Sequence, residues 1–159
     1  LRFITAAMKI NNDLERIADL ASNVAARALD LMNLPPLNES LQIEAMTEAA
    51  RRMLRQALDA LVEYDSHLAR RVLEQDDVVD DINRRHFEVL EKRMRRDPDS
   101  VRGGLLVLSV SRNIERIADL ATNIAEDVIF LVDALDVRHR VEPREGEKPA
   151  QTPTPDDPA

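Results

Sequence analysis

The sequence predicts an all-α protein: one antiparallel three-helix bundle over residues 38–139, preceded by a single long helix over residues 1–34. Three observations carry that prediction. The 159-residue chain is rich in Ala, Leu, Arg and acidic residues, with only 3 glycines and 3% aromatics, a composition of long amphipathic helices around an aliphatic core. Apolar residues recur in steps of three and four along most of its length, the period of helices packed along one stripe. Finally, Leu14-Glu15-Arg16-Ile17-Ala18-Asp19-Leu20-Ala21-Ser22-Asn23-Val24-Ala25 returns 100 residues later as Ile114-Glu115-Arg116-Ile117-Ala118-Asp119-Leu120-Ala121-Thr122-Asn123-Ile124-Ala125. A repeated supersecondary unit constrains the architecture before any single residue is interpreted.

The first helix carries a seam of Phe3, Ala7, Ile10, Leu14, Ile17, Ala21, Val24, Ala28 and Leu31, and Pro35-Pro36 ends it. Asn38 or Ser40 is the expected cap of the next helix, whose seam is Ile43, Met46, Ala50, Met53, Ala57, Ala60 and Tyr64. A turn at Asp65-Ser66 leads into one continuous helix with Leu68, Val72, Val79, Ile82, His86 and Val89 or Leu90 on its inner side. That helix closes on Lys92, Arg93, Arg95 and Arg96, which suit the negative end of the helix dipole. Asp97-Pro98 caps the last helix, whose seam runs from Val107 through Val110, Ile114, Ile117, Ala121, Ile124, Val128 and Leu131 to Leu135. Gly103-Gly104 near its start points to fraying or to close packing against a neighbour. Residues 140–159 turn to Pro, Glu, Thr and Asp without periodicity and are expected to be a disordered tail. Because residues 1–34 match only the third helix of the bundle, two upstream helices of a first, truncated repeat are expected to be missing. The uncovered seam must then self-associate or dock onto the bundle.

Composition excludes several function classes. A net charge of −8 and a pI near 4.9 argue against nucleic acid, which needs a basic face. The absence of Cys rules out disulfides and thiolate metal sites and is compatible with a cytoplasmic location. No stretch approaches the ~20 apolar residues of a membrane span. Neither a Gly-rich phosphate loop nor a legible Ser, His and Asp arrangement is present. His67, His86 and His139 are dispersed, and none forms E-x-x-H with a nearby Glu, which counts against a ferritin-like di-iron centre. His86 lies on the seam and is expected to be a buried, hydrogen-bonded residue.

The carboxylates remain. Glu115 and Asp119 lie one helical turn apart, as do Glu15 and Asp19 in the first copy, and rotation at ~100° per residue turns them away from the seam. A solvated face balanced by Arg112 and Arg116 would explain one such pair. Retention of Glu, Arg, Asp and Asn in both copies, while apolar neighbours exchange, favours a role. In the middle helix Asp77 and Asp81 point away from the seam, whereas Asp76 and Asp80 flank it within reach of a neighbour. Oxygen-only ligand sets of this kind suit hard ions such as magnesium, manganese, calcium or iron.

These motifs resemble those of the PhoU family of phosphate-uptake regulators, whose members contain two similar three-helix bundles. The family's third-helix pattern L-E-R-I-G-D-H-A-x-N-I-A is similar to Leu14–Ala25 and Ile114–Ala125, and its V-I-E-x-D-x-x-V-D to Val72–Asp80. A third stretch, Asn123–Val132, resembles the family's C-terminal helix. The likeness covers about residues 1–140. It implies metal ligands at Asp76, Asp80, Glu115 and Asp119, and at Glu15 and Asp19 in the first repeat, for iron, zinc, manganese or magnesium. The family's Gly is Ala18 and Ala118 here, and its His is Leu20 and Leu120, which removes a polar group beside each site. With the upstream helices of the first repeat missing, and with them the carboxylates that would face Glu15 and Asp19, only the second site is expected to be complete. The resemblance further implies a non-catalytic cytoplasmic adaptor that represses phosphate-starvation signalling. Its partners would be a phosphate transporter ATPase and a sensor histidine kinase, and it would form a homodimer. A helical scaffold without metal and a carboxylate-metal enzyme are the alternatives; the enzyme would need buried, converging ligands.

Overall fold

The structure, a computed structural model, describes residues 2–37 and 39–141, with side chains as far as Asp133. Regular structure among the described residues is helical throughout. It comprises α1 (Arg2–Leu31), α2 (Ile43–Glu63), α3 (Ser66–Leu73), α4 (Asp76–Arg96), a 3₁₀ turn at Pro98–Ser100 and α5 (Val101–Val141). The expected tail falls almost wholly beyond residue 141, outside the described residues, as do the side chains of Leu135 and His139.

Helices α2, α3–α4 and α5 run up, down and up around a core of fully buried Met46, Met53, Ala57, Val72, Val79, Leu90, Ala121 and Ile124. Leu90, not Val89, is the buried member of its pair. Small residues let the helices approach closely, and Met fills the irregular gaps that alanines leave. Tyr64 closes α2 in a left-handed conformation (φ 55°), and Asp65 then accepts hydrogen bonds from the amides of His67 and Leu68 (2.8 and 2.9 Å) to start α3. Asp97 does the same for Asp99 ahead of α5. Gly104 lies where an added Cβ would come within 2.9 Å of Met94 Sδ, so of the two expectations for the glycine pair, close packing is observed.

Three expectations change. The middle helix is two helices: at Glu74-Gln75 the chain tightens, with Gln75 N–H donating to Val72 O three residues back. The Gln75 side chain is drawn aside to Gln56 Oε1 (2.7 Å) and Arg71 O (2.9 Å). Ser40 does not cap α2, and Asn38 lies outside the described residues. The helix starts at Ile43, with Gln42 two residues past Ser40 as its N-cap and the Gln42 N–H donating to His86 Nε2 (3.0 Å). Lastly, the seam of α1 is only partly buried. This helix docks antiparallel on α5, burying Ala6, Ile10, Asp13 and Ile17 and half-burying Leu20, Val24 and Leu31. Phe3, Ala7, Ala21 and Ala28 of the predicted seam remain exposed. Its apolar face is wider than one neighbour can cover, so α5 takes one edge of it. Lys9 with Asp127 (3.3 Å) and Arg2 over the Phe130 ring (5.5 Å) fix the register. Leu20 and Leu120 meet near the middle of this helix pair, flanked by Arg16, Asp19, Arg116 and Asp119 from the two copies of the repeat.

Candidate metal centre

The start of α4 and the middle of α5 lie side by side because Val79 and Ile82 of α4, and Ile114, Ala118 and Ala121 of α5, all enter the core. One turn off that stripe, Asp76 and Asp80 face α5, and Asp119 faces α4. Oxygens of Asp76, Asp80 and Asp119 lie within 4.8 Å of one another. Asp76 is half-buried and Asp119 is exposed, so the group sits at the surface seam between two helices.

Electrostatics mark the same place. Burial pushes the Asp76 carboxyl above the usual range, and Asp80, Asp119 and Asp77 add to the effect. Burial and then Asp80 raise Asp119, against the opposing Arg116. Glu115 is half-buried and likewise raised, first by burial, then by Asp119 and Asp80. It stands beside the three aspartates, one turn before Asp119. Asp76 Oδ1 is buried with no hydrogen-bond partner, an arrangement that is costly unless something supplies a positive partner. An all-oxygen set with one orphaned buried oxygen and mutual repulsion fits a hard cation. Asp76, Asp80 and Asp119 would hold it, with Glu115 available as a fourth or bridging carboxylate.

The first copy is different. Glu15 is exposed and accepts from Asn11 Nδ2 (3.0 Å) within its own helix. Asp19 is exposed beside the Arg16 and Arg116 side chains. Asp119 of α5 lines the same shallow cleft as Asp19, but among the described residues neither Glu15 nor Asp19 joins the close group of Asp76, Asp80 and Asp119.

Behind the centre is a buried polar network that charge patterning alone does not disclose. His86 Nε2 accepts from Gln42 N–H, so its proton sits on Nδ1 and is donated to Ser111 Oγ (2.9 Å). Ser111 in turn donates to Asn83 Oδ1 (2.8 Å). Burial holds the imidazole below its ordinary value. Asn83 follows Asp80 and precedes His86 by three residues each, the i+3 spacing that would have placed all three on one face.

Comparison with known proteins gives a consistent result. The PhoU domain family profile matches residues 1–28 and 43–128. A PhoU homologue of the phosphate-specific transport system from Xylella fastidiosa is 35% identical over 133 residues, covering 84% of this chain and 56% of that protein. A Thermotoga maritima homologue is 33% identical over 132 residues, covering 82% and 57%. The crystal structure of PhoU from Pseudomonas aeruginosa superposes with a TM-score of 0.79 at 36% identity, covering 84% of this chain and 65% of that one. The chain spans about half the length of the curated relatives it matches. With fold, repeated motif and sequence in agreement, the chain belongs to the PhoU domain family.

Proposed function

We propose that this chain acts in phosphate transport as a non-catalytic cytoplasmic adaptor that negatively regulates uptake and phosphate-starvation signalling. It binds a divalent or trivalent metal ion (iron, zinc, manganese or magnesium) through Asp76, Asp80 and Asp119, with Glu115 beside them. Membership of a family whose relatives are named accessory proteins of the phosphate-specific transport system supports the first part. The convergent aspartate oxygens, one of them buried and unpartnered, support the second. An exposed centre between two helices favours docking over chemistry, because catalytic metals work in shaped sites that exclude water. Its partners are the phosphate transporter ATPase, a sensor histidine kinase and a second copy of the chain.

Two measurements test this. Elemental analysis of purified protein should find metal at stoichiometric level in the wild type and a large loss in Asp119→Ala; equal content in both discards the carboxylate assignment. In cells deleted for their own PhoU-family protein, the chain should lower a phosphate-starvation reporter. A reporter that stays fully induced with the protein present at normal abundance rejects the regulatory role.

A further inference from the structure

The aspartate centre opens into a groove of about 720 Å³ between α4 and α5. Asp80 and Glu115 line the end next to the centre, and Arg84 and Arg112 stand along its length. Asn83 also lines it, and the buried network fixes its orientation: Oδ1 is turned inward to Ser111 (2.8 Å), which leaves the amide NH₂ as the outward donor. Arg84 meets Asp81 through one nitrogen (3.0 Å) and is otherwise exposed. Phe87 and Leu105, each 57% exposed, form the apolar side of the same groove.

A guanidinium beside a cation site is unfavourable unless something negative lies between them. Arg112 is close enough to Glu115 to bear on its charge, and on its own it weakens cation binding there. Before an ion arrives the four carboxylates outweigh the two arginines and repel an anion; a divalent ion offsets that excess, Asp81 beside Arg84 apart, and gives an anion a cation and two guanidiniums to meet. Hard ions held by carboxylates complete their shells with water or with phosphate oxygens, and Arg recognises the phosphate tetrahedron in a forked geometry. The groove is far larger than a phosphate ion, and its apolar side gives space for an organic group.

We propose that this groove is a metal-dependent site for inorganic phosphate or a phosphate monoester, bound between the ion at Asp76, Asp80 and Asp119 and the side chains of Arg84, Arg112 and Asn83. The inference rests on the metal reading above and deepens it.

Manganese(II) is the probe. Its stoichiometry is measured first by electron paramagnetic resonance, in wild type and in the double variant Arg84→Gln/Arg112→Gln. Both substitutions are on exposed side chains, and circular dichroism verifies the helices. Phosphorus-31 relaxation of inorganic phosphate and of phenyl phosphate is then followed with and without manganese-loaded protein. The expected result is protein- and manganese-dependent relaxation with saturable binding. In the double variant the anion affinity falls at least tenfold while manganese stoichiometry is unchanged. Tighter binding of phenyl phosphate, lost in Phe87→Ala, identifies an organic phosphate; equal binding of the two identifies the free ion. Manganese that binds without saturable phosphate relaxation, or phosphate affinity indifferent to the arginines, overturns the inference and leaves the metal reading standing. Failure of manganese to bind overturns both.

Discussion

Replacing Asp119 by Asn should stabilise the protein without metal and destabilise it with metal. The oxygens of Asp76, Asp80 and Asp119 lie within 4.8 Å of one another. At that separation a pair of unit charges repels by about 1 kcal/mol in a water-like surround and about 3 kcal/mol at the effective dielectric of a protein surface. Asp119 is exposed, so screening favours the lower figure, and relief from two partners amounts to about 2 kcal/mol. For a chain of this size that corresponds to a rise in Tm of about 4–8 °C. Wild type with an ion at a hundred times its Kd gains about 2.7 kcal/mol by mass action, and the variant forfeits most of this because it lacks one ligand. Thermal melts of both proteins in chelator and in saturating manganese therefore cross: the variant melts higher in the first and lower in the second. The same ordering in both buffers would refute the argument, since repulsion and ion binding are opposite faces of one geometry.

Three further outcomes follow from the packing. The depressed His86 imidazole means that the unfolded chain takes up its proton first as pH falls, so this contribution to stability is full above the ordinary value of 6.5 and lost as pH drops through the lower folded value. Urea midpoints between pH 8 and pH 5 measure the loss; His86→Ala removes this component and, by stranding the Gln42 amide and Ser111, costs about 2–4 kcal/mol at neutral pH. Gly103→Ala should stabilise the protein by about 0.5–1 kcal/mol, read as a higher urea midpoint, because its new methyl meets Leu37 at an ordinary 3.7 Å. Gly104→Ala should lose that gain to the displaced Met94 side chain. Met53→Ala should cost about 2–5 kcal/mol, whereas Met32→Ala, at a site 80% exposed, should stay within about 0.5 kcal/mol on the same denaturation curve.

Much of this architecture was legible in residue periodicity. The order of the helices, the turn at Asp65 and the Asp97-Pro98 cap follow from local patterns, and rotation sets Asp76 and Asp80 on the flank of their seam; that they meet Asp119, which rotation turns outward, follows only from the packing of α4 on α5. What was not legible depends on tertiary competition. At the break at Glu74-Gln75 the Gln75 side chain is held by Gln56 on another helix, a partner that no propensity scale records. The start of α2 is set by His86, 44 residues away, instead of by a local cap. A single seam was expected for α1, whereas docking on α5 buries the edge containing Ala6, Ile10 and Ile17. Arg84 and Asn83 acquire meaning beside the aspartates only when α4 and α5 are placed together.

The duplicated segment also gives the molecule its own matched control. Ala18, Ala21 and Ala25 are exposed, while their counterparts Ala118, Ala121 and Ala125 are fully enclosed. Intrinsic helix tendency and sequence neighbours are nearly the same at each pair, so they cancel when one substitution is made at both positions. The remaining difference measures what enclosure alone contributes, within a single polypeptide and a single melting experiment per variant.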